Sequence, residues 1–471
     1  MKRLALSLAF LLTSTLACAA DLAIVLQDEA ALRPAPLASA RPHAFLWQGE
    51  TVEVRGERLD YLQVYDYRRE RGGYVRARQL RRISLDPREA PELLAVLRFL
   101  RDLPGSEALG IGFAAAYIEA APADILNGLA GAESLDALGT LAERLARRAS
   151  RGVRDRSAQA ALAAHLDVAA RHGVQLASLE RDGRMRVCYD GMAFRRVLAM
   201  ASTQEQRARA ALALTRAECL GKYGTWHAEV LDKVDDARLP SLVRNRILMR
   251  RAAVWSSLAY DHARKGDDAA SAAERALDSL AGVNKSDLAE SDLATYTDAA
   301  IRANASRWAA APATSTPRLI ATKEDTGQTC VTLTDAKQKP LAKRCTYGLV
   351  WTASASLNKE GTAAALAVQQ SESWRELWIF SKTKSGWTVR VLPPASINPS
   401  VGYAEFAGWV PGGRQLLVAR EALGEGKKIR SFEQLRLDTL ASVKQAGEPS
   451  ALTAFNRWQD PSWKGQTVSL R

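Results

Sequence analysis

Histidine and cysteine are both scarce, five of each in 471 residues, and that scarcity limits the chemistry open to the chain. There is no H-E-x-x-H and no C-x-x-C, so neither a zincin helix nor a paired-thiolate metal knuckle is written in it. A G-x-S-x-G elbow is missing too. Ser381-x-x-Lys384 matches the S-x-x-K pattern of penicillin-binding enzymes, but it sits in SKTKSG, a turn between β-type runs and not a helix start. Gly110-x-Gly112-x-x-Ala115 copies part of a dinucleotide fingerprint with no strand before it, which leaves a pair of helix-packing glycines. Asp287 and Asp292 lack the glycine and the spacing of a calcium loop. His165 and His172 lie seven residues apart on one helical face among Ala and Leu, the surroundings of satisfied structural histidines. These residues predict no catalytic group, no metal site and no cofactor.

Long hydrophobic stretches are also lacking. MKRLALSLAFLLTSTLACAAD opens on Lys2-Arg3, runs apolar from Leu4 to Leu12 and ends on the small residues Ala17-Cys18-Ala19-Ala20. The run is shorter than the ~20 residues a bilayer span needs, and 1–20 read as a cleavable signal peptide for export to the periplasm. Thr15 stands where a lipobox places Leu, so a lipid anchor at Cys18 is the alternative. Removing the leader leaves Cys188, Cys219, Cys330 and Cys345, an even number suited to an oxidising compartment. Cys330 and Cys345 flank VTLTDAKQKPLAKR, a hairpin turning between Asp335 and Pro340, and are expected to pair. Cys188 and Cys219 then pair by elimination.

Acidic residues are in deficit: 52 Asp and Glu stand against 65 Lys and Arg, a net charge of +13. In the cytoplasm such a balance suggests nucleic acid. An exported chain meets envelope phosphates, lipid headgroups and glycan carboxylates instead, so an anionic envelope polymer is a candidate partner and nucleic acid is not. Arginine spread over solvated faces is the plainer source of the same excess. Arg144, Arg147, Arg148, Arg151, Arg154 and Arg156 make the densest run, at a helix end, where they suit the helix dipole or form an anion-docking patch.

Length allows two to four domains at ~150 residues each, and composition marks their borders. Residues 21–83 are short β-type runs, with TVEVRG and YLQVYDY alternating apolar and polar. At Asp86-Pro87-x-Glu89 a cap, a first-turn proline and a capping glutamate open a helical region, 84–310, rich in Ala, Leu and Arg. VQLASLERDGRMRVCYDG interrupts it with a β-hairpin near 174–189, turned at Asp182-Gly183. A linker, 311–317, leads to a β-rich region, 318–471, where Lys becomes common and histidine vanishes. The expected fold class is multidomain α+β: a small β-barrel, an α-helical array, then a β-rich domain.

Several stretches carry resemblances. Leu32-Arg33, Pro34, Leu46-x-x-Gly49, Val52-x-Val54, Leu62-x-Val64, Gly73-Tyr74-Val75 and Leu80 resemble the bacterial Src-homology-3-like (SH3-like) domain, with Tyr61-Leu62 where many members carry Trp. The resemblance implies a binding module, not a reaction. Trp255, Leu258, Ala259, Gly266-Asp267 and Ala276-Leu277 follow the order of a tetratricopeptide hairpin in a single irregular copy. Trp351 with Lys359-Glu360-Gly361 and Trp409 with Pro411-Gly412-Gly413 resemble β-propeller blades, of which about three fit, so a partial propeller or a sandwich is expected.

Aromatics and arginines cluster in the first region. Trp47, Tyr61, Tyr67, Tyr74, Arg69 and Arg76 are the candidate binding residues. Alternation puts Tyr61, Tyr65 and Tyr67 on one face, so some are expected in the small core and the others along a peptide- or glycan-binding groove. The sequence thus predicts a periplasmic, non-enzymatic binding or scaffold protein that engages peptidoglycan peptide or an envelope protein. The alternatives are a peptidoglycan hydrolase or hydrolase activator, and an outer-membrane lipoprotein accessory factor.

Overall fold

The structure is a computed structural model that describes residues 21–153, 155–181, 183–311, 318–395, 401–424 and 427–466. The expected leader, most of the linker (312–317), Arg154 and the turn residue Asp182 lie outside them. Strands come first, helices follow and sheet returns at the end, an α+β arrangement in sequence order. The chain forms two compact units that divide after Gln206.

The first unit begins with β1 (Leu22–Val25), β2 (Ala30–Leu32), β3 (Ala44–Leu46), β4 (Thr51–Arg58), β5 (Tyr61–Asp66), β6 (Arg71–Arg76) and β7 (Leu80–Ile83). Five of them make an antiparallel sheet in the order β6-β5-β4-β1-β7, and β2 pairs with β3. Strand alternation sends Val52, Val54, Leu62, Val64 and Val75 to one side, where they close a core with Ala23, Val25, Leu32 and Leu46. Ile24 and Ile83 face the opposite way and join the core of the helices that follow. β1 is therefore buried on both faces, and the strand region and helices share one packed body.

Asp86 starts the helical part: its carboxylate accepts the Arg88 amide, and Pro87 occupies the first turn. After a 3-10 turn, α1 (Ala90–Asp102) presents Leu93, Leu94, Leu97 and Leu100 to the core. α2 (Glu107–Ala120) is apolar on nearly every side and packs on α1 and on helices further along the chain. Those are α3 (Ala123–Leu126), α4 (Leu129–Arg151) and α5 (Arg156–Arg171), the last capped by the Asp155 carboxylate on the Ala158 amide. β8 (Leu176–Arg181) and β9 (Arg184–Tyr189) form the hairpin that the sequence indicated, with Gly183 left-handed at φ +68°. α6 (Met192–Ala199) packs on α4, and α7 (Gln204–Leu214) contains the division between units.

In the second unit α8 (Thr225–Asp232), α9 (Ser241–Lys265), α10 (Ala270–Ala281) and α11 (Leu293–Ser306) come first. α9 and α10 form a helical hairpin turned at Gly266 (φ +83°), and α11 completes their core at Tyr296 and Ala300. Then come β10 (Leu319–Lys323), β11 (Thr329–Thr334) and β12 (Pro340–Thr346), an antiparallel meander. Cys330 and Cys345 lie directly opposite in it and form a disulfide, Cα to Cα 3.9 Å. Cys219, and Cys188 in the first unit, are each disulfide-bonded as well.

Two four-stranded meanders follow: β13 (Leu349–Leu357), β14 (Ala363–Ser371), β15 (Trp374–Thr383) and β16 (Gly386–Leu392), then β17 (Val401–Val410), β18 (Gln415–Gly424), β19 (Lys427–Arg436) and β20 (Ser442–Ala446). A short parallel pairing, Trp374 with Gly402 and Arg375 with Tyr403, joins them into one sheet. Alternate residues of β14 serve two cores. Ala364, Leu366 and Val368 meet Leu319, Val331 and Leu333 of the first meander. Ala363 and Ala365 meet Ala404, Leu416, Val418 and Leu435 of the last. The far face of the last meander, at Tyr403, Leu417 and Phe432, is covered by Ile301 of α11 and by α12 (Thr453–Trp458) and α13 (Pro461–Gln466). Among the described residues no helix is long and apolar enough to cross a membrane.

Candidate functional site

The face of β4, β5 and β6 turned away from the Val/Leu core carries most of the aromatic residues that the sequence singled out. Register places Glu53 opposite Tyr65, Tyr74 opposite Gln63, and Arg76 opposite Tyr61. A bulge at Arg55, where pairing slips between Val54 and Gly56, sets its guanidinium 3.9 Å from the centre of the Tyr65 ring. Tyr67 meets Tyr65 edge-on at 5.0 Å. Its hydroxyl donates to Glu53 Oε2 at 2.7 Å, and Arg55 Nη2 donates to the same oxygen at 3.0 Å. The Tyr67 hydrogen bond, then that of Arg55, holds the Glu53 carboxyl below its usual range. The result is a preset cluster of two phenol rings and one cation, with Tyr67 and Arg55 exposed and Tyr65 half-buried. Arg55 and Glu53 are additions to the sequence-derived set; the TVEVRG alternation already pointed both outward.

The expected residues divide by environment. Tyr67 is exposed, Trp47 and Tyr74 are half-buried, and Tyr61 is buried with Arg76 5.8 Å over its ring. Of the rings expected to be partly in the core, Tyr61 is buried, while the opposite face of the same strands supplies the Val/Leu cluster. Arg69 is spent on the framework: it donates to Glu50 at 3.0 and 3.1 Å and to Asp66 at 2.6 Å.

Behind the Trp47–Glu50 turn lies a buried ionic frame that the sequence did not announce. Glu50, 3% exposed, takes Arg69 and also Arg171 of α5 at 3.2 Å. Glu107 at the start of α2, 2% exposed, takes Arg144 at 2.6 Å and Arg148 at 2.7 Å. Buried His165 meets Asp28 through Nε2 at 2.8 Å and Arg148 through Nδ1. A guanidinium only donates, so Nδ1 is the acceptor and the ring proton sits on Nε2 toward Asp28. Burial works to raise the Asp28 carboxyl, but the hydrogen bonds from His165 and then from Gln48 outweigh it and hold it below the usual range. The arginine run is thus partly internal: Arg144 and Arg148 serve Glu107, and Arg147 serves Glu143. Histidine, carboxylates and arginines here are committed to one another.

The second unit has its own buried triad. Glu405 bonds Arg307 and, at 2.6 Å, Arg375, and all three are nearly or wholly enclosed. Arg375 also donates to the Asn304 carbonyl of α11 at 2.7 Å. Burial presses the Arg375 guanidinium down and the Glu405 carboxyl up; the two arginines reverse the latter and leave Glu405 below its usual range. A cleft of about 280 Å³ adjoins the triad, lined by Arg307, Trp308, Ser354, Ser356 and Trp463. Ser354 Oγ accepts the Ala367 amide of β14 at 2.8 Å, and Ser356 Oγ accepts Trp409 Nε1 of β17 at 3.0 Å. Its hydroxyls therefore hold strands together. Among the described residues no group of three His, Cys, Asp or Glu is placed to hold a metal ion.

No protein-family model matches the chain, and neither a curated protein nor a solved structure does.

Proposed function

We propose that the chain is a periplasmic, non-enzymatic binding or scaffold protein of the cell envelope, and that its N-terminal strands form an SH3-like module that binds peptidoglycan peptide or a protein partner. The observation that carries this reading is the Tyr65–Tyr67–Arg55 cluster on the outer sheet face. Tyrosine and arginine are the side chains that most often anchor an interface, because each offers wide contact area with a polar end. Here Tyr67 and Arg55 are exposed and held by Glu53 before any ligand arrives, with Tyr65 half-buried beside them, so little ordering is left for binding to cost. Support also comes from the disulfides, which suit an oxidising compartment. The groups able to do acid–base work, His165, Asp28, Glu107 and Glu405, are instead locked in hydrogen bonds and ion pairs. In this reading the C-terminal meanders form a partial propeller or a sandwich, and the helical array serves as a scaffold.

Co-sedimentation of the full chain with purified peptidoglycan sacculi tests the reading. Binding that withstands moderate salt and is lost in the Tyr67→Ala, Arg55→Ala double variant supports it. Binding that the double variant keeps, or that salt alone abolishes, removes the cluster as the site. No binding to sacculi turns the search to protein partners for the same face.

A further inference from the structure

The turns at one end of the C-terminal β region carry a large excess of charge of one sign. Asp335–Lys339 links β11 to β12, Asn358–Thr362 links β13 to β14, and Thr383–Gly386 links β15 to β16. Pro411–Arg414 links β17 to β18, and Leu437–Ala441 links β19 to β20. Contacts make them one continuous surface. The Gly412 amide donates to Glu360 Oε1 at 3.0 Å, and the Lys382 amide to the Thr362 carbonyl at 2.9 Å. Arg318 donates to the Thr334 carbonyl at 2.9 Å and lies beside Gly361. The Leu437 amide reaches the Arg414 carbonyl at 2.9 Å, and Arg390 reaches the Leu437 carbonyl at 3.0 Å.

Lys337, Lys339, Lys359, Lys382, Lys384 and Arg414 are all exposed on this end. Among the described residues none of the six has a carboxylate within ion-pair distance. The three carboxylates present are engaged already. Asp335 accepts the amides of Lys337 at 2.8 Å and Lys339 at 2.9 Å. Glu360 accepts the Gly412 amide, and Asp438 takes Arg436 at 3.0 Å. With Arg318, Arg390 and Arg436 added, nine cations stand against three carboxylates. One or two lysines on turn tips are ordinary surface chemistry. Six unpaired cations from four successive hairpins, brought to one end by the stacking of the meanders, form a field.

We propose that this basic end docks on an anionic lipid surface, with phosphate headgroups as its partner. Five of the six free cations are lysines, flexible point charges without the planar fork that reads a single carboxylate or phosphate in fixed geometry. Spread over protruding tips, they suit the diffuse negative charge of a leaflet, to which each adds attraction that salt screens. This docking is independent of whatever the N-terminal face binds.

Flotation of the full chain with two kinds of vesicle tests it: phosphatidylcholine alone, and phosphatidylcholine with about one third phosphatidylglycerol. The proposal expects binding to the anionic vesicles only, lost between about 50 mM and about 500 mM salt. The triple variant Lys337→Glu, Lys382→Glu, Lys384→Glu should bind them at least about 100-fold more weakly. A charge-matched control, Lys233→Glu, Lys265→Glu, Lys323→Glu, removes exposed lysines elsewhere and should stay within about threefold of the parent chain. Equal loss in both triple variants means that net charge alone acts, and overturns the proposal. So does equal binding to both vesicles, or capture by soluble polyphosphate or sacculi without vesicle binding.

Discussion

Gly49 and Gly112 meet backbone to backbone. A Cβ on Gly112 would lie 2.7 Å from the Gly49 carbonyl oxygen, and one on Gly49, itself at φ +85°, would lie 2.2 Å from that of Ala108. The turn after β3 therefore sits directly on α2, with no room for a methyl group between them. Overpacking of this kind costs about 1–3 kcal/mol. Gly112→Ala should lose about 2 kcal/mol in urea unfolding, and Gly49→Ala should lose more because its left-handed backbone adds strain. A Gly112→Ala protein with parental stability would show that α2 shifts away from the turn at no cost.

Glu405 keeps two enclosed arginines together, so removing it leaves two buried cations without their anion. Glu405→Gln should destabilise the second unit by about 3–5 kcal/mol. The pH dependence has a fixed sign. The folded carboxyl titrates below its ordinary value of 4.5, so as the medium is acidified the unfolded chain takes up this proton first. The contribution of Glu405 is complete above about pH 4.5 and is lost as the pH falls through the folded value. Denaturant unfolding from pH 7 downward checks both points: the parent should weaken in acid more steeply than Glu405→Gln. Parallel curves would mean that the carboxylate is not what holds the pair.

How much of this was legible in the sequence depended on how far apart the cooperating residues lie. The hairpin from Leu176 to Tyr189 was readable because Asp182-Gly183 sits between two β-type runs, and the helix start at Asp86 because cap, proline and glutamate are neighbours. Cys330 and Cys345 were readable for the same reason, being two sides of one turn. The buried frame was not. His165 and Asp28 are 137 positions apart, and no period in either segment marks the other. The only local hint was Glu107, a charge at the head of the otherwise apolar EALGIGFAAAYI. The tyrosines of β5 were correctly placed on an alternating face, but alternation does not say which face is the core; Leu62, Val64 and Val75 decided that in the structure.

The Cys330–Cys345 disulfide closes a short loop between adjacent strands. In the chain-entropy account a loop of this size contributes about 3 kcal/mol. Cys330→Ala with Cys345→Ala should lower the stability of the second unit by that order, measured by denaturant unfolding without reductant. Peptide mapping under non-reducing conditions should recover 330 linked to 345 and 188 linked to 219. Free thiols or crossed pairs would overturn the expected pairing of Cys188 with Cys219.

His172 ties the acid response of the first unit to the contact of Gly49 with Gly112, because its Nε2 lies 3.1 Å from the Gly49 carbonyl oxygen. Burial pushes the imidazole below its ordinary value of 6.5, and the charge of Arg171 adds to this, while the Gly49 hydrogen bond opposes it only in part. The folded protein therefore holds His172 neutral at a pH where the unfolded chain has begun to protonate it. Its contribution is intact above about pH 6.5 and declines as the pH falls from there toward the folded value. His172→Gln places an amide donor near the ring's Nε2 position but removes the titration, so stability between pH 7 and pH 5 should fall less steeply than in the parent. Urea midpoints across that range decide the matter; identical slopes would show that the imidazole is free to take up a proton where it sits.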